Sequence, residues 1–315
     1  MPAPPAVFYC VSDSRYFLGA VAMLNSLRLI GHSEPVYVLD CGLTGSQRSL
    51  LSPHVTLVPG PEDTPPWLLK TIAPLRYPAD VMVLIDADVI VTRRLTPLLA
   101  EAVRGKVVAF ENRSDRFFAE WGELFDEGTP RPRQYVSSSL VCLSGALGLE
   151  ILHLMASLRD RVDFSRTMWR DNVPDYPYLF ADQDLLNAIL AARVDGPRVV
   201  EVEDRLEAVV PYTGLSLTDE DALRCSYDDG TEPYVVHHFM PIKPWLEPTI
   251  PGVYSRLLAR LLRGRNLELR VPDSELPAHL RPGLVAAARS WRRGGLGARL
   301  RAARARRGRG EGTGG

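Results

Sequence analysis

The feature that most constrains this chain is Val81-Met82-Val83-Leu84-Ile85, five apolar residues without a break, followed at once by Asp86-Ala87-Asp88 and Val89-Ile90-Val91. A run that is apolar at every position, rather than at every second one, reads as a strand buried on both faces. Further short apolar runs at Val7–Val11, Val36–Leu39, Val55–Val58, Val107–Phe110, Ser138–Leu143, Val199–Val202 and Tyr234–His237 read the same way. Between them lie stretches with helical spacing: Tyr16–Leu29, stopped by Gly31, then Trp67–Leu75 after a Pro-rich loop, Leu147–Arg159 and Asp182–Ala192. Strands alternating with helices predict an α/β sheet covered on both faces. Past about Pro251 the pattern changes to short helical pieces, Val253–Leu262 and Leu284–Arg292. The expected organisation is a main domain over 1–250, a helical extension over 251–290, and a disordered Arg/Gly-rich tail over 291–315.

Charge narrows the function classes. The net charge is −1. From Trp291 to the end, however, there are eight Arg and one Glu, so the tail carries +7 and the remainder about −8. A body with that balance offers no basic face, and nucleic acid is not an expected partner. The tail has two readings: a solubilising end, or a segment lying on anionic lipid at the inner face of a membrane. No basic region followed by a long apolar stretch begins the sequence, and no run approaches the ~20 apolar residues that cross a bilayer. A cytoplasmic protein is expected, and Cys10, Cys41, Cys142 and Cys225, far apart and mostly within apolar runs, read as buried thiols. Only Lys70, Lys106 and Lys243 are Lys among 37 basic residues, a drift towards Arg expected of a GC-rich bacterial genome. It makes each surviving Lys informative, since the two cations are not equivalent at a phosphate.

Asp86 and Asp88 stand two apart, and in an extended chain residues i and i+2 project to one face. Two adjacent carboxylates repel unless a cation lies between them, and hard oxygen donors suit Mg²⁺ or Mn²⁺. Their place at the end of a buried strand fits as well, because open α/β sheets bind ligands beyond the carboxyl ends of their strands. An Asp-x-Asp after an apolar strand also occurs in haloacid-dehalogenase-type phosphohydrolases, where the first Asp is a nucleophile. There the motif opens the domain, whereas here more than 80 residues of α/β pattern precede it.

A second segment, Val235-Val236-His237-His238-Phe239-Met240-Pro241-Ile242-Lys243-Pro244-Trp245, ends a strand on an imidazole and places a Lys six residues later. Taken with Asp86-Ala87-Asp88, it makes the chain resemble the family 8 retaining glycosyltransferases, the group of glycogenin and the bacterial lipopolysaccharide galactosyl- and glucosyltransferases. Their late motif, His-x-x-Gly-x-x-Lys-Pro-Trp, is met in register by His237, Lys243, Pro244 and Trp245, with Met240 in place of the Gly. The resemblance implies the GT-A fold, a Rossmann-like, mixed and mainly parallel sheet flanked by helices. It also implies a metal, Mn²⁺ or Mg²⁺, held by Asp86, Asp88 and His237, with Lys243 on the diphosphate of the donor.

The similarity runs through most of the first 250 residues. The loop Val11-Ser12-Asp13-Ser14-Arg15-Tyr16 is similar to the family's nucleotide loop, which would put Val11, Asp13 and Tyr16 at the base and ribose. Lys70 falls where glycogenin-like members carry a Lys near the donor. Tyr135–Leu140 resembles the segment lining the donor sugar, through Ser137 and Ser138, with Ser137 replacing an Asn. Phe180–Asn187 fits the Asp-Gln-Asp-x-Leu-Asn run; there Asp182 would hold sugar hydroxyls and Gln183 would lie beside the anomeric carbon, and Asp184 reads as charge at a helix N-terminus. The implied activity is transfer of a hexose, from UDP-glucose or UDP-galactose, to a glycan, glycolipid or small-molecule acceptor. Met240 and Ser137 keep open a non-catalytic nucleotide-sugar or glycan-binding module. For the acceptor, the aromatics Phe117, Phe118, Trp121 and Phe125 are read as the packed side of a helix, and Asp171–Tyr178 as a candidate loop.

Overall fold

A computed structural model describes residues 6–61, 64–125, 129–248 and 252–281. In chain order the regular elements begin with β1 (Ala6–Ser12), α1 (Phe17–Leu29), β2 (Val36–Asp40), α2 (Gly45–Leu51), β3 (Thr56–Pro59) and α3 (Ile72–Arg76). They continue with β4 (Val81–Ile85), β5 (Val89–Val91), α4 (Thr96–Val103), β6 (Val107–Glu111), β7 (Val136–Ser144), α5 (Gly145–Leu158) and α6 (Asp182–Arg193). Last come β8 (Val199–Val202), β9 (Glu207–Val209), β10 (Leu215–Asp219), β11 (Arg224–Tyr227), β12 (Val235–His237) and α7 (Val253–Arg263).

The main sheet has seven strands in the order β3-β2-β1-β4-β7-β6-β8. Every neighbouring pair is parallel except the two that β7 makes with β4 and β6. This is the mixed, mainly parallel sheet expected. Its middle strand β4 is buried at all five positions, as its unbroken apolar run requires. Parallel pairing puts the carboxyl ends of β1 and β4 on one edge of the sheet, and the reversed β7 brings its N-terminal half to that same edge. A small second sheet, β5-β12-β9, continues from there, with β12 antiparallel to β5 and parallel to β9.

Helix α1 is buried from Phe17 to Leu27, polar Asn25 and Ser26 included. A helix apolar on all sides belongs between layers, and α1 packs on β1, on β5 and on α7. It ends where Gly31 takes φ +89°; the Gly31 and His32 amides return to the carbonyls of Arg28 and Leu27, closing a Schellman cap. Helix α2, absent from the sequence reading, opens on a capping box in which the Thr44 hydroxyl accepts from the Gln47 amide and the Gln47 side chain accepts from the Thr44 amide. The helix expected over Trp67–Leu75 is two pieces, a 3-10 turn at Pro66–Leu68 and α3. All four cysteines are free and buried.

The chain divides into two compact units. One runs to Pro241 and includes the described residues through Arg270; the other takes 242–248 and the described residues from Val271. Helix α7, expected in an extension, packs along α1 within the first unit. Its buried Tyr254, Leu257, Leu258, Leu261 and Leu262 form one face, while Arg256 and Arg260 on the other meet Glu220 and Asp221. The Leu284–Arg292 helix and the basic tail lie outside the described residues. No helix among the described residues is long and apolar enough to cross a membrane.

Candidate metal and donor site

Asp86 and Asp88 do converge, but not along an extended strand. Strand β4 ends at Ile85, residues 87–88 form a turn in which the Val89 amide returns to the Asp86 carbonyl, and β5 leaves in a different sheet. Strand β5 pairs antiparallel with β12 so that Val89 faces His237, and the His238 amide donates to the Asp88 carbonyl at 3.1 Å. That ladder is what carries the late imidazole to the early carboxylates. One ligand atom each from Asp86, Asp88 and His237 lie within 4.8 Å of one another, the group among the described residues that would hold a metal. Two carboxylates and an imidazole combine hard oxygen donors with a borderline nitrogen, a set that suits a divalent first-row cation.

The electrostatics are those of a cation site. Burial pushes the Asp86 carboxyl up, Lys70 opposes this, and Asp88 and Asp182 add to the rise, leaving it at about 6. For His237, burial disfavours the imidazolium, but the Asp88 and Glu207 carboxylates outweigh burial and lift it to about 10. Lys70 lies 2.7 Å from Asp86 and 2.8 Å from Asp182, and these anions raise its ammonium further despite burial.

The serines of β7 serve two sides, as alternation in a strand requires. Ser138 faces α6: its hydroxyl donates to Asp182 at 2.9 Å, and its amide donates to the Gln183 side-chain carbonyl at 3.2 Å. The Gln183 amide nitrogen in turn donates to the Tyr135 hydroxyl at 3.1 Å, so the side chain is held at both ends. Ser137 and Ser139 point the other way, to Glu207. Ahead of Asp182, Ala181 is fully buried with φ +52° and ψ −114°, a conformation costly for a residue with a Cβ. The strain sets the angle at which α6 delivers Asp182 and Gln183.

Asp184 departs from its reading as simple helix-end charge. It is completely buried, 3.1 Å from Arg116, and accepts from Tyr135 at 2.7 Å and from the Phe180 amide at 2.7 Å. Burial raises its carboxyl, with Arg116 and Tyr135 opposing. It fastens α6 to β7 behind the site.

After β1, Asp13 accepts from the Arg15 and Tyr16 amides, each at 2.9 Å, which shapes the loop expected to bind the nucleotide. Burial, then Asp88, raises the Tyr16 phenol, which places Tyr16 within electrostatic reach of the acidic pair. Lys243 and Trp245 belong to the second unit, where each is 2% exposed. A cavity of about 260 Å³ reaches one member of the triad, His237; Ser137, Gln183, Glu207, Phe239 and Asn112 line it as well, and Asp86 and Asp88 do not. Phe239 stands edge-on to His237, Phe180 and Trp169, forming an apolar wall.

Of the aromatics near residue 120, Trp121 is 1% exposed, stacks on Tyr135 and donates to the Pro177 carbonyl, so it is core, on a 3-10 turn rather than an α-helix. Tyr176 and Tyr178 are buried too, against each other. Sequence reasoning missed Glu207, 3% exposed, whose Oε1 accepts from His237 Nδ1 at 2.9 Å. A lone carboxylate in Leu206-Glu207-Ala208-Val209-Val210 was the available signal.

No family model matches the chain, and no curated protein matches it in sequence. Solved structures do. An active-site mutant of LgtC superposes with a TM-score of 0.52 at 16% identity over 85% of this chain and 98% of that one. The glycosyltransferase GlyE of Streptococcus pneumoniae gives 0.52 at 15% identity over 82% of this chain and 60% of its own. The bifunctional glycosyltransferase WbbM gives 0.50 at 14% identity over 84% of this chain and 50% of its own. The fold is therefore the GT-A glycosyltransferase fold.

Proposed function

We propose that this chain is a metal-dependent, retaining glycosyltransferase of the family 8 type, moving a hexose from UDP-glucose or UDP-galactose to a carbohydrate or glycolipid acceptor. The observation that carries the reading is the convergence of Asp86, Asp88 and His237 at the carboxyl edge of the sheet, with His237 and Gln183 lining one cavity. The shared fold with glycosyltransferases supports it.

In this reading Val11, Asp13 and Tyr16 receive the nucleotide. Mn²⁺ or Mg²⁺ at the triad supplies charge neutralisation at the leaving diphosphate. The chain's own groups do the rest. Lys70 and Asp182, already paired at 2.8 Å, form a charged shelf on which sugar hydroxyls exchange hydrogen bonds. Ser137 and Ser138 border it. Gln183 presents its carbonyl oxygen to the positive charge that develops on the ring; the Ser138 amide occupies one lone pair and leaves the other. An amide is a poor covalent nucleophile, so retention follows from attack on the leaving-group face of a short-lived oxocarbenium-like ion. Gln183 is fixed before substrate arrives and loses no orientation cost at the transition state.

The test is turnover: the full chain with Mn²⁺ and each of UDP-glucose, UDP-galactose, GDP-mannose and dTDP-glucose, following release of the nucleotide with and without a glycan acceptor. Metal-dependent release of UDP from one sugar nucleotide is expected. Binding without release or transfer would support the non-catalytic module instead. Phosphate release from simple monoesters, with a phospho-aspartate at Asp86, would support the phosphohydrolase.

A further inference from the structure

We propose that Glu207 is a positioning residue for the metal: it holds the His237 ring by Nδ1 and so aims Nε2 at the ion. The proposal rests on the metal reading above and deepens it. Glu207 opens β9, which lies beside β12 in parallel register, with Val209 opposite His237. Its carboxylate is almost wholly desolvated, which is costly unless donors repay the loss. Three do so on one oxygen: Oε1 faces His237 Nδ1 at 2.9 Å and Ser137 Oγ at 3.3 Å, and also accepts from the Ser139 hydroxyl.

The two nitrogens of His237 are treated differently. Nδ1 is within an ordinary hydrogen bond of Glu207, whereas Nε2 lies 3.5 Å from Asp88 Oδ1, at the outer limit of one. Both residues belong to the group of three that could hold a cation. A carboxylate on Nδ1 fixes the tautomer with its proton there, keeps the Nε2 lone pair for a metal and makes the imidazole a stronger donor. The arrangement also explains what Ser137 does where the resemblance has an Asn. Its hydroxyl serves Glu207 in the layer behind the ligand, and Ser139, on the same face of β7, does the same.

The experiment is Mn²⁺ affinity of the full chain, read from the electron paramagnetic resonance of free Mn²⁺ with no nucleotide or turnover involved. Glu207→Leu should weaken Mn²⁺ by about 10–100-fold. Glu207→Gln, which keeps an oxygen for Nδ1–H, should lose less, between about twofold and tenfold. In a His237→Ala background neither change should weaken Mn²⁺ further, because Glu207 acts only through the ring. Should Glu207→Leu not fold, Glu207→Gln alone, with and without His237→Ala, completes the cycle. Unchanged affinity in the variants, or an equal loss with and without His237, overturns the proposal while the metal site stands. A wild-type chain that binds no Mn²⁺ overturns the metal site itself, and this role with it.

Discussion

Lys70, Asp86, Asp182 and His237 form one charge system in which protons and a metal compete. Asp86 titrates at about 6 and His237 at about 10 among the protein groups alone. A divalent ion needs the first as carboxylate and the second with a free Nε2, so binding between these values expels one proton, from His237. The apparent Mn²⁺ affinity should then climb about tenfold per pH unit through neutrality, and about a hundredfold per unit below pH 6, where Asp86 also holds a proton. Calorimetry in buffers of different ionisation enthalpy counts the protons directly. An affinity flat from pH 6 to 8 would mean that metal binding displaces no proton from His237. At this scale local chemistry in the sequence pointed to the Asp86 and Asp88 pair, which does meet His237, whereas His237 as a ligand and Gln183 at the sugar came from the family resemblance. The sequence was silent on Glu207 and incomplete on Asp184, which does stand in the first turn of α6, because what else each carboxylate does is decided by Ser137, Ser139, Tyr135 and Arg116, residues distant along the chain.

At the scale of elements, α1 and α7 form the layer behind the second sheet, and Asn25 joins them. Its side-chain nitrogen donates to the carbonyls of Leu261 and Leu269, each at 2.8 Å, and its oxygen accepts from the Leu269 amide at 2.9 Å. The residue is fully buried. Asn25→Ala strips three backbone groups of their partner in a place water does not reach, and should cost about 3 kcal/mol of stability. The loss is read as a lower urea midpoint at unchanged slope; a loss below about 1 kcal/mol would show that these groups find other partners. Short Val-rich runs were legible as strands: β4 and β8 have the bounds expected for them. Strands β5, β9, β10 and β11 were not named from the sequence: β5 and β9 owe their form to pairing with β12, and β10 and β11 to pairing with each other. The turn between β4 and β5 was missed for the same reason. Its direction is set by the pairing of β5 with β12, a contact with no trace in local spacing.

Across the whole first unit, topology makes the site. Parallel β1 and β4 end at one edge, reversed β7 brings Ser137 and Ser138 to it, and the β5-β12-β9 sheet adds His237 and Glu207. Alternating strands and helices implied such a sheet before the structure. That the sheet is mixed was implied by the family resemblance, but nothing in the apolar residues of β7 marked it as the reversed strand. The central claim is that this edge binds a nucleoside diphosphate through a divalent metal. The most direct measurement is calorimetric titration of UDP into the wild-type chain and into Asp88→Ala, each with and without Mn²⁺, with melting temperatures to establish that both are folded. The account expects UDP binding that requires Mn²⁺ in the wild type and is lost in Asp88→Ala. Equal UDP binding by the two proteins, or binding indifferent to Mn²⁺, would contradict it.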